Sequence, residues 1–286
     1  MKHAKLAVVV SALFASAALA HDHGKQHVAD SVIEQQRAEL AKNTDGKGFG
    51  PQSPRDLEQL TGNNARAFST APSHTQMNLC NIHFHAGAEH RGGDFTTYAG
   101  NGDGAGYGTG YLYNGKLDSE VLKSTGHGIC EGPKGGLKPG DTIEVHYVFT
   151  SAQVTPGPTL GACLADATMN PQLRVEGQVY VVVNDDDALD FDDLTEFGMK
   201  DGYYQPYNIP SNTGTPITYE GSTTGPAYNT EGSPLQVSWS VRPQVAMVDI
   251  ETVGEWCNDN PFNEEAAHGV RNLVVNPELI SDIHQQ

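Results

Sequence analysis

The sequence predicts a mixed, mainly β fold: a central, mostly antiparallel sheet with short helices at its periphery. The first observation is a set of short runs rich in β-branched and aromatic residues, NIHFH (81–85), TIEVHYVF (142–149), QVYVVVN (178–184) and LQVSWSV (235–241). The second is the abundance of turn formers, 32 Gly and 16 Pro among 286 residues, which fits long loops around a sheet and not a helical bundle.

The N-terminal segment, 1–20, has the features of a secretory signal peptide. Lys2 and Lys5 precede a short apolar run, and small residues end the segment at Ala18, Leu19 and Ala20. The apolar run is too short to span a bilayer. We therefore expect a secreted or periplasmic protein with no membrane span after cleavage.

The next segment, 21–45, is a polar, His-rich tail followed by a helix. The helix is expected over 29–42, where helix formers carry an apolar spacing at Val32, Ile33 and Leu40. From 46 onward the composition changes to Gly, Pro, Asn and Thr, and no linker divides the remaining chain. We expect 46–286 to form a single domain.

The formal charge of −18 excludes some partners. Self-repulsion of this size favours solubility and opposes binding to nucleic acid and to anionic membranes. A small neutral substrate is indifferent to the charge. The sequence does not indicate an oligomeric state.

Four cysteines in an exported protein predict two disulfides. Three pairings are possible. Proximity along the chain favours Cys130 with Cys163 and Cys80 with Cys257.

Two of the predicted strands carry ligand-bearing residues on one face. Side chains alternate along a strand, so His83 and His85 project from the same side, about 6 to 7 Å apart. Asn81 shares that face. On the second strand the same parity places Glu144, His146 and Val148 together.

Three neutral histidines bind Zn²⁺ and leave the fourth tetrahedral position for water. Metal-bound imidazoles usually give their second N–H to an acceptor, and Asn81 beside His83 and Glu144 beside His146 supply acceptors. The alternative is a His-rich strand with hydrogen-bonded, buried histidines. A cupin is also compatible with His83, His85 and Glu89, but its second motif, P-x-G-x-x-H-x-x-x-N, is not matched around His146.

Four separated segments resemble motifs of the alpha-class carbonic anhydrases, in the same order along the chain. HFHAGAEH (83–90) resembles HFHxPSEH, and the others are GFGPQSPRDL (48–57), IEVHYV (143–148) and YEGSTTGP with VSWSV (219–226 and 237–241). The long stretch between His85 and His146, the four cysteines and the WSVRP and HGVRNLV segments look more like the delta class. The resemblance implies an alpha-carbonic-anhydrase-like fold with 46–286 as the catalytic domain.

Carried over residue by residue, the resemblance implies zinc ligands His83, His85 and His146. Thr224 would accept a hydrogen bond from zinc-bound hydroxide and donate its own to Glu89. The apolar CO₂ pocket would be formed by Val148, Val237 and Trp239. In the competing interpretation, Glu89 pairs with Arg91 and Thr224 is an ordinary turn residue.

The resemblance implies zinc-dependent, reversible hydration of CO₂ to bicarbonate and a proton. His74 and His127 are the candidate residues for carrying the proton away. Two alternatives stay open at this point: a non-catalytic carbonic-anhydrase-like binding protein, and a cupin-like metal oxygenase.

Overall fold

The computed structural model describes residues 27–66, 68–168 and 170–283. The predicted signal peptide, 1–20, and residues 21–26 of the predicted tail lie outside the described residues. The helices are α1 (Asp30–Thr44), α2 (Phe191–Thr195) and α3 (Ile250–Asn258), with 3₁₀ turns at His74–Gln76, Leu160–Cys163, Pro226–Tyr228 and Pro277–Leu279. The strands are β1 (Asn78–Ala86), β2 (Thr97–Tyr98), β3 (Tyr111–Leu112), β4 (Ile129–Gly132), β5 (Gly135–Leu137), β6 (Thr142–Thr150), β7 (Leu173–Val183), β8 (Phe197–Lys200), β9 (Tyr203–Pro206), β10 (Ile217–Ser222), β11 (Gln236–Val241) and β12 (Ala246–Asp249).

The central sheet has the strand order β1-β6-β7-β11-β10, and β12 pairs with the second half of β7. The pairs β1–β6, β6–β7 and β10–β11 are antiparallel, whereas β7–β11 and β7–β12 are parallel. The sheet is therefore mixed. The predicted mainly β class is confirmed, and the four predicted strands correspond to β1, β6, β7 and β11.

Two apolar clusters lie on opposite faces of the β1–β6 strand pair. One includes Ile82, Phe84, Val145 and Tyr147 and extends to α3. The other includes Val148, together with Val175, Val237 and Trp239 from neighbouring strands. Because one cluster covers each face, every residue of β6 is buried. The strand pair is consequently held rigidly from both sides.

Helix α1 lies where the sequence predicts a helix, beginning at Asp30 and ending at Thr44. Ile33 and Leu40 are buried, and Leu40 packs with Val274, Leu279 and Ile280. Val32, which was expected on the same apolar face, is 37 % exposed. Adjacent helical residues lie about 100° apart, so Ile33 and Val32 do not both face the core.

The predicted disulfide pairing is wrong. Cys80 is bonded to Cys163, and Cys130 to Cys257. Cys163 lies in the 3₁₀ turn Leu160–Cys163, which packs against β1, while β4 packs against α3. Strand β6 lies between Cys130 and Cys163 in the chain and crosses the sheet. The two cysteines are therefore close in sequence but are not bonded to each other.

No helix in the described part of the chain is long and apolar enough to cross a membrane. The two disulfides are consistent with an extracellular or periplasmic location, where thiols are oxidised.

Candidate metal centre

The antiparallel pairing of β1 and β6 brings three histidines together. His83 lies directly opposite His146, and His85 lies opposite Glu144. One ring nitrogen from each of His83, His85 and His146 lies within 4.8 Å of one from each of the others. His85 and His146 are buried, and His83 keeps only a partly exposed side chain.

The second nitrogen of each ring is occupied by a hydrogen bond. His83 Nδ1 donates to Asn81 Oδ1 (2.6 Å), and His146 Nε2 donates to Glu144 Oε1 (3.0 Å). His85 Nδ1 donates to the Gly269 carbonyl (3.0 Å). These bonds leave Nε2 of His83, Nε2 of His85 and Nδ1 of His146 with lone pairs.

Burial keeps the triad in the neutral form that binds metal ions. It lowers the pKa of His83 well below its usual value, and the charges of His146 and His85 add to this effect. The pKa of His85 falls to about 4 through burial and the nearby His268. Three neutral imidazoles with fixed tautomers fit a Zn²⁺ ion, for which three protein ligands are typical of a catalytic site.

Glu144 connects the triad to a second buried network. Its Oε1 accepts from His146 and from His90 Nδ1 (2.6 Å), and its Oε2 accepts from the amides of Glu89 (2.8 Å) and His90 (3.1 Å). Burial alone would raise the pKa of Glu144, but the charges and hydrogen bonds of His90 and His146 hold it well below its usual range. His90 Nε2 lies 2.6 Å from the Tyr219 hydroxyl, so the network continues across the sheet.

Glu89 is buried beside the triad and does not pair with Arg91. Arg91 binds Asp56 and Glu58 instead, so this part of the competing interpretation is wrong. Glu89 Oε1 accepts from the amide of Arg271 (3.0 Å). Burial raises the pKa of Glu89, and the charge of His146 opposes the rise.

Thr224 lies in the loop after β10, two residues before the 3₁₀ turn Pro226–Tyr228. Within the residues that the structure describes, its hydroxyl does not donate to Glu89. The neighbouring Thr223 is buried and anchors the loop, because its amide donates to the Leu235 carbonyl and its carbonyl accepts from Ser233 Oγ. The role expected for Thr224 stays a prediction.

The three residues expected to form an apolar pocket are buried in one cluster. They are Val148, Val237 and Trp239. The Trp239 ring lies with its centroid 5.0 Å from that of His146, in an edge-on arrangement. Its indole N–H donates to the Ser222 carbonyl (2.9 Å), which fixes the ring beside the triad.

The two histidines predicted to carry protons bind carboxylates away from the triad. His74 Nδ1 lies 3.3 Å from Glu176 Oε1 in the turn before β1. His127 pairs with Glu251 on the surface.

A further histidine, His268, lies beside the triad and was not singled out from the sequence. Its ring centroid is 5.5 Å from that of His83 and 5.8 Å from that of His85. Its side chain is half exposed and bonded to Glu264 (2.5 Å). Its ring therefore lies next to two of the three triad rings.

Sequence reasoning also missed His90 and Arg271. His90 is the third histidine of HFHAGAEH. It binds Glu144 and is not one of the three triad histidines, so the spacing that identifies metal ligands did not point to it. The buried Arg271 guanidinium donates to carbonyls of Ser53, Tyr228 and Glu231. In the sequence, Arg271 is a single arginine in the HGVRNLV segment, and nothing there indicates that it is buried.

The family of the chain follows from comparison with known proteins. A family model described as delta carbonic anhydrase matches residues 74–252, which include His83, His85 and His146. The chain belongs to the delta carbonic anhydrase family. The matched region also contains Glu89, Glu144 and Thr224, so the predicted family resemblance is confirmed.

Among solved structures, the chain is similar to the alpha-carbonic anhydrase from Thermovibrio ammonificans, described in complex with the inhibitor sulfanilamide. The two are 14 % identical, with a TM-score of 0.25, and the match covers 74 % of this chain and 82 % of that one. No curated protein matches the chain. The family assignment rests on the family model alone.

Proposed function

We propose that this delta carbonic anhydrase catalyses the zinc-dependent, reversible hydration of CO₂ to bicarbonate and a proton. The observation that carries the proposal is the His83, His85 and His146 cluster, in which each ring has one nitrogen bonded to an acceptor and the other directed to a shared site. Family membership supports the same chemistry.

The three histidines would hold the zinc ion through Nε2 of His83, Nε2 of His85 and Nδ1 of His146. Zinc bound in this way would lower the pKa of a coordinated water to about 7 and so supply a nucleophile at neutral pH. The protein keeps its three rings neutral by burial, so no proton must leave them before the ion binds.

Asn81, Glu144 and the Gly269 carbonyl orient the three rings. The Asn81 amide is itself fixed, because its Nδ2 donates to the Gly157 carbonyl (3.1 Å) while its Oδ1 faces His83. Glu144 accepts four hydrogen bonds and is immobilised by them. Acceptors of this kind fix the tautomer and raise the basicity of the ligating nitrogen.

Glu89 would align the attacking oxygen through Thr224. Its Oε1 is held by the Arg271 amide, and no donor among the described residues binds its Oε2. A carboxylate accepts and does not donate when ionised, so Thr224 would donate to Glu89 and accept from the attacking oxygen. That order fixes the direction of the lone pair used in the attack.

The substrate pocket would be formed by Val148, Val237 and Trp239 beside His146. CO₂ is small and uncharged, and an apolar surface next to the metal suits it better than a strong hydrogen-bond donor does. The formal charge of −18 exerts no net force on such a substrate. Release of anionic bicarbonate is favoured by the same negative charge.

Metal analysis and stopped-flow CO₂ hydration on one untagged sample test the proposal. We expect about one zinc per chain and rapid acidification of CO₂-saturated buffer, lost on chelation and restored by zinc. A folded protein without metal or activity would instead support a non-catalytic carbonic-anhydrase-like protein. Redox-active iron with oxygen consumption would support a cupin-like oxygenase.

A further inference from the structure

The loop 223–235, which carries Thr224, is closed at its base by a hydrogen bond between its two ends. The Thr223 amide donates to the Leu235 carbonyl (3.0 Å). Between these ends lies one short element, the 3₁₀ turn Pro226–Tyr228. The position of Thr224 therefore depends on the groups that hold the interior of the loop.

The Arg271 side chain holds that interior. Its Nε donates to the Tyr228 carbonyl (3.1 Å), and its Nη2 donates to the Glu231 carbonyl (3.1 Å). Arg271 is only 1 % exposed, and hydrogen bonds shielded from water are stronger than those at the surface. The two bonds fix the backbone of the loop on the C-terminal side of Thr224.

The other side of the guanidinium binds the segment around Ser53. Nη1 donates to the Ser53 carbonyl (2.7 Å), and Gln52 Oε1 lies 3.3 Å from Nη1 and 3.4 Å from Nη2. Gln52 is bonded in turn to the end of the loop, because the Ser233 amide donates to its Oε1 (2.7 Å) and its Nε2 donates to the Ser233 carbonyl (3.1 Å). Arg271 and Gln52 together tie the loop to a second segment of the core.

The charge of Arg271 is buried among neutral acceptors. They are backbone carbonyls and the Gln52 amide oxygen. Burial lowers the pKa of Arg271 to about 10, and the charge of Glu89 opposes the decrease. Because removing a charge from water costs free energy, an apolar side chain would fill this place at lower cost. What an apolar side chain lacks is the planar fork of donors, which binds several carbonyls in a fixed geometry.

Arg271 also binds Glu89, through its backbone. The Arg271 amide donates to Glu89 Oε1 (3.0 Å), while the Arg271 side chain holds the loop that carries Thr224. One residue thus contacts both the carboxylate and the loop that have to meet if Thr224 is to donate to Glu89. A displacement of about 1 Å in a reacting group can cost about 100-fold in rate, so the position of this loop matters for catalysis.

We propose that Arg271 is a positioning residue for CO₂ hydration. Its guanidinium holds the loop 223–235 so that the Thr224 hydroxyl lies between Glu89 and the attacking oxygen. This role rests on the proposed function of the metal centre. The side-chain hydrogen bonds of Arg271 go to residues outside the histidine triad, so its loss should slow the attack and leave zinc binding unchanged.

Steady-state CO₂ hydration by zinc-loaded Arg271→Lys tests the proposal, in concentrated buffer so that proton release does not limit the rate. Lysine keeps the charge but lacks the planar fork. We expect kcat and kcat/KM to fall together by about 10- to 100-fold, with KM and zinc content unchanged. Arg242→Lys is the matched control and should keep the natural rates, because Arg242 also donates to two backbone carbonyls, those of Ser211 and Gly214, but in another loop.

A double-mutant cycle with Thr224→Ala separates positioning from a general loss of structure. If Arg271 acts through Thr224, adding Arg271→Lys to Thr224→Ala should lower kcat/KM by less than about twofold more, because the group that it positions is already gone. Equal losses in the two backgrounds would show a merely structural role and overturn the proposal. Natural rates in Arg271→Lys or in Thr224→Ala alone would also overturn it.

Asn43 offers a second variant, whose folding is not at risk. Its side chain is partly exposed on α1, and its Nδ2 donates to the Thr230 carbonyl (2.9 Å) in the same loop. We expect Asn43→Ala to lower kcat/KM by about twofold to tenfold, the scale of one hydrogen bond, and to have no further effect in Thr224→Ala. Should Arg271→Lys not fold, a natural rate in Asn43→Ala would overturn the proposal.

The two proposals fail in different ways. A folded, zinc-loaded natural protein that does not hydrate CO₂ would contradict the proposed function, and the role of Arg271 with it. An active natural protein with unaffected loop variants would contradict only the role of Arg271.

Discussion

The two faces of the β1–β6 strand pair do different work. On one face Ile82, Phe84, Val145 and Tyr147 are all fully buried in a single apolar cluster. On the other face, residues one position along each strand carry hydrogen-bonded imidazole and carboxylate groups. Because strand residues alternate, the same two segments supply both the core and the site.

The difference lies in how strictly each face specifies its residues. An apolar side chain in a core is replaceable by another of similar volume at small cost. A ligand histidine has to present one nitrogen while the other is bonded, so neither its type nor its partner is free to change. Substitutions on the two faces should therefore separate stability from activity.

The largest expected effect comes from His146→Ala on the polar face. One of three ligands is lost, so we expect zinc binding and CO₂ hydration to fall to background in a variant whose circular dichroism spectrum still shows a folded chain. Zinc content and stopped-flow rates measure the result. His27→Ala, an exposed histidine that accepts from the Gly102 amide, is the control and should retain both zinc and full activity. Activity retained in His146→Ala would exclude the proposed site.

On the apolar face, Phe84→Ala should cost about 3 to 5 kcal/mol in the free energy of unfolding. The ring is fully buried and packs against Phe191 and Trp256. Denaturant unfolding gives the loss, and activity per folded, zinc-loaded molecule should stay near that of the natural protein. The milder Ile82→Val should cost about 0.5 to 1.5 kcal/mol. A large loss of zinc affinity in either variant would show that the two faces are not separable.

Glu144→Gln is expected to weaken zinc binding by about 10- to 100-fold, as is typical when an acceptor behind a ligand histidine is lost. The amide keeps the size of the carboxylate but loses the charge that His146 and His90 contact. Competition with a chromophoric chelator measures the affinity. Glu176→Gln is the matched control, since Glu176 binds Arg174 on β7 and touches no triad residue. Equal zinc affinities for the two variants would contradict the role of Glu144.

The smallest effect is expected for Asn81→Ala, at about tenfold in zinc affinity or less. Here a neutral acceptor is lost, and water can replace it because His83 is partly exposed. Faster zinc release to a chelator is the measurement. Asn78→Ala, on the same strand but bonded to the Ala152 carbonyl, should release zinc at the natural rate. A larger effect from Asn78 than from Asn81 would argue against ring orientation by Asn81.

Strand parity allowed the polar face to be predicted from the sequence, because the two-residue period is local. The Gly269 acceptor of His85 could not be predicted from the sequence, because every residue has a carbonyl and the two residues are 184 positions apart. The prediction of the disulfide pairing was wrong for a related reason: it used distance along the chain, and β6 separates Cys130 from Cys163. Arg271 was missed because its partners are mainly backbone carbonyls, which leave no sequence pattern.

The segment around His268 is joined to β1 by an isolated parallel bridge between His85 and His268. His268 N donates to the Phe84 carbonyl and the Ala86 amide donates to the His268 carbonyl. Residues 268–271 thus complete the surroundings of His85 and Glu89, and they follow every strand of the sheet in chain order. A chain cut after β12 would contain all three histidines but would leave His85 without the Gly269 acceptor and Glu89 without the Arg271 amide. The surroundings of the triad are therefore complete only once the C-terminal segment has docked on β1.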